Sequence, residues 1–104
     1  MLQRSLIALA AVVALPSLVE AQSFNCRYAR QADEIAVCDD PELSRLDERM
    51  SRLFFDVRDS VGGRERAGLD ADQAEWLESR RACRRNADCI EDAYRQRIRE
   101  LRRF

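Results

Sequence analysis

The sequence predicts an all-α fold, a small disulfide-stapled helical domain of three to four helices that includes an antiparallel helical hairpin. Three observations support this. Apolar residues recur at threes and fours, and no run alternates as a strand would. Helix breakers are sparse after residue 21, being Pro41 and the glycines Gly62, Gly63 and Gly68. Four cysteines stand in a short chain that opens like an exported one.

The opening "MLQRSLIALAAVVALPSLVEAQ" carries Arg4, an apolar run from Leu6 to Leu15 and a small-residue cleavage pattern ending at Ala21. This is the pattern of a secretory signal peptide over 1–21, with one domain over 22–104. The apolar run is too short to cross a hydrocarbon core of about 30 Å, so no membrane span is expected. Cys26 lies behind Ser23, Phe24 and Asn25 rather than directly after a cleavage box, which argues against a lipid anchor. Every basic residue is arginine, a bias of GC-rich bacterial genomes, and a periplasmic or secreted location is the expectation.

A short helix is expected from Asp33 to Cys38. A longer one follows in "DDPELSRLDERMSRLFFDV", with Asp40 as N-cap and Pro41 at the first helical position. Leu43, Leu46, Met50, Leu53, Phe54 and Val57 form its buried stripe, with Glu48 and Arg52 paired on the wet side. Paired glycines and dense charge make 60–68 the clear loop. A third helix is expected to open at Asp70 with Gln73 in a capping box, turning Trp76, Leu77 and Cys83 inward. A fourth opens at Asp88 and lines up Ile90, Tyr94, Ile98, Leu101 and Phe104. The short link "RRNAD" makes the last two antiparallel, and the helical spacing places Trp76 and Tyr94 in the core rather than at a binding site.

A domain this small has a modest core and needs cross-links. Cys83 in the last turn of the third helix and Cys89 in the first turn of the fourth are placed to staple the hairpin. Cys26 with Cys38 ties the N-terminal segment to the first helix. Spacings of C-x11-C and C-x5-C suit neither zinc, which favours closer pairs, nor a C-x-x-C redox centre. Neither metal nor cofactor is expected. Histidine is absent, which removes Ser-His and Cys-His nucleophiles and any imidazole base. Paired acids such as Asp39 with Asp40, or Asp70 with Asp72, suit helix caps and first turns better than glycoside hydrolysis, so no enzymatic activity is expected.

Charge divides along the chain: residues 31–79 hold six arginines against fourteen acids, and 80–104 hold nine against four. The simplest arrangement lays acidic and basic helices together so that their charges partly cancel. The acidic half can instead steer a cationic partner. A third possibility is that Arg80, Arg81, Arg84, Arg85, Arg102 and Arg103 meet an anionic envelope surface. Nucleic acid is disfavoured, because the chain is acidic overall and interleaves few aromatics with its arginines.

A series of residues carries a further signal: Cys26, Ile35 to Cys38, Asp40 to Leu43, Leu46-Asp47, Gln73 to Leu77, Arg80, Cys83, Cys89-Ile90, Tyr94, Arg97-Ile98 and Leu101. In this order they resemble the LprI-like lysozyme-inhibitor family of bacterial secreted proteins, over nearly all of 22–104. The resemblance implies a cysteine-stapled helical domain outside the cytoplasm, and a protein partner of the lysozyme-type muramidase class for some members. Phe54 and Phe55 stand where a tyrosine is usual and Ile90 where leucine is, both read as packing swaps. Arg81 adds positive charge beside the staple, the wrong sign for docking a basic lysozyme there.

The expected target contact therefore lies in "DSVGGRERAG" and the Asp56 just before it. Asp56, Asp59 and Glu65 would form an acidic rim, and Arg64 or Arg66 on a flexible tip would pair with carboxylates in a muramidase cleft. The plainer alternative is that Gly62 and Gly63 only turn the chain between helices. For function the first reading is a non-enzymatic muramidase inhibitor. The second is a periplasmic interaction module that binds an envelope component or partner protein.

Overall fold

The computed structural model describes residues 24–104, and the expected signal peptide lies outside them. A 3-10 turn over Cys26–Tyr28 leads into α1 (Ala32–Asp39), α2 (Pro41–Ser60), α3 (Gly63–Ala82) and α4 (Ala87–Leu101). No strand occurs among the described residues.

The boundary between α1 and α2 follows from its residues. Asp40 is extended, and its carboxylate accepts from the amides of Glu42 at 2.9 Å and Leu43 at 3.4 Å. Pro41 then starts α2 where no amide donor is required.

Two other boundaries differ from expectation. The segment 60–68 is not a loop: only Val61 and Gly62 link α2 to α3, and Gly63 to Gly68 are already helical. Two helical glycines cost about 1 kcal/mol each relative to alanine. Tertiary contacts offset this, since Leu69 is buried, Arg58 grips Asp70 through two bonds of 2.8 and 3.0 Å, and Arg66 reaches back to α2. Asp70 is thus an ion-pair partner inside α3, not its cap, and Gln73 bridges to Met50 and Arg97 instead of closing a capping box. The cap of α4 is Asn86, whose side chain accepts from the Cys89 amide at 3.0 Å, two residues before the expected Asp88.

Pairings between helices set their directions. Arg58 with Asp70, Met50 with Gln73 and Asp47 with Arg80 run in opposite order along α2 and α3, so these helices are antiparallel. Trp76 with Ala93 and Gln73 with Arg97 show the same for α3 and α4. Consequently α2 and α4, the most extensively packed pair, run parallel, and α1 packs on both α2 and α3.

The core is made of Val37, Leu43, Leu46, Met50, Phe54, Val57, Leu69, Trp76, Ile90, Tyr94, Ile98 and Leu101, with Leu53 and Leu77 partly buried against it. Trp76 and Tyr94 meet edge to face at 5.1 Å, and the Trp76 indole donates to the Ala93 carbonyl at 2.8 Å, so both are core residues as expected. Phe104 is not: it follows the end of α4 and is 66% exposed. Both staples form, Cys26 with Cys38 and Cys83 with Cys89, at Cα separations of 5.8 and 5.5 Å.

Candidate functional site

The α2–α3 corner gathers four of the five expected contact residues on the surface. Asp56 and Asp59 occupy the last turns of α2, Arg64 and Glu65 the first turn of α3, and all four are exposed. The fifth, Arg66, is half-buried and committed: its guanidinium donates to the Arg58 carbonyl at 3.1 Å and the Val61 carbonyl at 3.3 Å. It satisfies carbonyls that the end of α2 leaves without helical partners. The corner is therefore a firm helical turn rather than a flexible tip, and Arg66 is not an inserting group.

Phe55 completes this surface. Contrary to a simple packing swap at both aromatics, Phe54 packs, edge-on to Phe55 at 5.2 Å, but Phe55 itself is 55% exposed. Asp59 lies one helical turn beyond it. A large aromatic beside carboxylates on a rigid element has the make-up of a protein-docking anchor. Nearby Arg58 is neutralised by Asp70, whose carboxyl is held below the usual range by its hydrogen bond to that guanidinium. Arg64 makes no ion pair among the described residues.

Toward the start of α2 and the end of α3, away from this corner, a polar set is locked into the core. Arg80 is 2% exposed, so it is not part of a basic surface patch as expected. It donates to Asp33 at 2.7 Å and to the Tyr94 hydroxyl at 2.9 Å, and that hydroxyl donates to Asp47 at 2.8 Å. The guanidinium also lies over the rings of Phe24, Trp76 and Tyr94 at 5.2 to 5.9 Å. Burial disfavours its charge, but the field of Tyr94 and the bond to Asp33 outweigh that and raise its pKa. Burial, then the charge of Asp47, raises the Tyr94 phenol far above its ordinary value. The set joins α1, α2, α3 and α4, and it is structural in placement. Among the described residues no cluster of acids or cysteines could hold a metal ion.

Spacing could have revealed these groups. Asp33 stands four residues before Val37, Asp47 four after Leu43, and Arg80 four after Trp76, each on a core-facing stripe.

Against known proteins, no family model and no solved structure matches the chain. It is 31% identical over 83 residues to lipoprotein LprI of Mycobacterium bovis and of two Mycobacterium tuberculosis strains, over 77% of this chain. This is an LprI-like domain. It spans 41% of the length of those relatives. The LprI-like domain as described has its two disulfides at one end of the bundle, beside α1 and the α3–α4 link, and its acidic corner at the α2–α3 link.

Proposed function

We propose that this LprI-like domain is a non-enzymatic inhibitor of a lysozyme-type muramidase, acting outside the cytoplasm by docking its acidic corner over the enzyme's cleft. The observation that carries the reading is the exposed Phe55 beside Asp56 and Asp59 on a corner that α3 makes rigid. Animal-type lysozymes are generally basic, so an acidic rim speeds encounter, and an aromatic anchor slows release. Arg64 is the cation left free to meet a cleft carboxylate. The family resemblance supplies the enzyme class, and the disulfides fit an oxidising compartment such as the periplasm or the exterior.

The experiment is a cell-wall turbidity assay with purified residues 22–104 and several lysozymes. Inhibition rising with protein concentration is expected. Phe55→Ala should weaken it at least tenfold through faster dissociation, and Asp56→Asn with Asp59→Asn should slow association most at low salt. Arg64→Glu should also weaken it, whereas Arg66→Glu would report on the end of α2. No inhibition at micromolar excess against any lysozyme overturns the proposal.

A further inference from the structure

Arginine is arranged on this molecule in a way that inhibition does not use. Arg45, Arg49 and Arg52 on α2 repeat the spacing of Arg95 and Arg99 on α4 and Arg102 at its C-terminal cap, each set at i, i+4 and i+7. Because α2 and α4 run parallel, the two rows face each other across one surface groove. Glu42, Arg45, Leu46, Glu48, Arg49, Arg52 and Arg95 line its first part, and Arg49, Arg95, Ile98, Arg99 and Arg102 its second. Glu42 pairs with Arg45 at 2.7 Å and Glu91 with Arg95 at 2.8 Å. Arg49, Arg52, Arg99 and Arg102 make no ion pair among the described residues and are exposed. Glu48 also lines the first part, so in an acidic chain the six arginines outnumber the acids Glu42, Glu48 and Glu91 and leave this face with a net positive excess.

We infer that the α2–α4 groove binds a linear, phosphate-bearing polymer that lacks bases, such as a polyol-phosphate or sugar-phosphate chain. Each row spans about 10 Å along its helix, room for successive phosphates of an extended chain. The two free oxygens of a phosphodiester diverge from a tetrahedral phosphorus, so a guanidinium fork from each wall can take one of them. Because a phosphodiester is a strong acid, every link of such a chain carries its charge throughout the neutral range, whereas a bilayer meets only one face. Bases would need stacking platforms, and the exposed large aromatics Tyr28, Phe55 and Phe104 do not line the groove. This places the anionic contact away from Arg80, which is core, and apart from the acidic corner.

The test measures binding of a short inorganic polyphosphate to residues 22–104 by calorimetry across a salt series. Saturable binding that weakens with salt is expected. Arg49→Glu with Arg99→Glu should lower affinity more than tenfold and flatten the salt slope by about 0.7 per lost contact. Arg27→Glu with Arg85→Glu, an equal charge change elsewhere on the surface, should lower it less than threefold. Circular dichroism verifies the fold of both pairs. Equal losses in the two pairs, no saturable binding at low salt, or tighter binding to duplex DNA, a carboxylate polysaccharide or phosphatidylglycerol vesicles would each overturn the inference. Lysozyme inhibition by the groove variant separates the two proposals, because the groove can fail while the corner still inhibits, and the reverse.

Discussion

Arg80 and Asp33 stand 47 residues apart in the chain and meet at 2.7 Å, with side chains only 3% and 1% exposed. Among the described residues it is the one ion pair between α1 and α3. The Tyr94 hydroxyl relays the same guanidinium to Asp47, so one arginine answers two buried carboxylates. A buried ion pair adds little net stability against a well-packed apolar core, but removing one partner strands the other.

Replacing Arg80 with methionine keeps the length of the side chain and removes the charge. The variant should lose about 3–5 kcal/mol, because Asp33 and Asp47 would remain buried without their cation. Urea unfolding followed by circular dichroism measures this. Adding Asp33→Asn and Asp47→Asn in the same background should recover part of the loss. A single variant as stable as the parent would show that the set adds nothing.

Tyr94 should make the fold sensitive to alkali. Its folded pKa lies above the unfolded value of about 10, so below that pH the phenol is protonated in both states and its contribution is complete. Above it only the unfolded chain ionises, and stability falls as pH rises. In a Tyr28→Phe background the sole phenol is Tyr94, and its ultraviolet phenolate band should appear together with loss of helicity. A phenolate band that rises while helicity is intact would contradict its burial. Tyr94→Phe should remove the alkaline dependence while costing about 1–3 kcal/mol for the partners left unsatisfied.

These groups also mark what the sequence conveys and what it conceals. Spacing conveys the helical class, the Asp40-Pro41 start of α2, both disulfides and the core positions of Trp76 and Tyr94, because each rests on local periodicity or loop length. It also sets Arg80 on a core-facing stripe, four residues after Trp76, but a lone charge counts as surface until a partner from a distant helix is known. The 60–68 segment misleads in the opposite direction. Glycine weakens a helix locally, and only burial of Leu69 and the Arg58–Asp70 pair restores it. Phe55 was concealed for a related reason: two adjacent aromatics on a helix point about 100° apart, so one can pack while the other faces water.

The staples should contribute unequally in kind more than in amount. Closures this short are each worth about 2–3 kcal/mol in the chain-entropy account. Cys26→Ser with Cys38→Ser releases the 3-10 turn and with it Phe24, which covers Arg80 at 5.2 Å. Cys83→Ser with Cys89→Ser opens the α3–α4 link but leaves Trp76 bonded to Ala93. Thermal melts should fall in both, and amide exchange should speed up around α1 in the first pair and around 82–90 in the second. Melts unchanged by reduction of the parent would remove the staples from the account of this fold.

Glycine sits in this chain where helix geometry does not need it, and is missing where backbone geometry favours it. Gly68 lies inside α3, exposed, and a Cβ built there meets nothing within 4 Å, so Gly68→Ala should stabilise by about 0.5–1 kcal/mol. Arg84, just past α3, holds φ at 56°, a left-handed conformation that costs a side-chain-bearing residue about 1–2 kcal/mol. Arg84→Gly should recover much of that by supplying the usual residue for a helix stop, provided the Cys83–Cys89 bridge is intact. The two changes lie at opposite ends of α3, so their gains should add in urea midpoints. If Gly68→Ala gave no gain, α3 would not begin as early as Gly63. The corner that presents Phe55 would then be looser than the docking proposal requires.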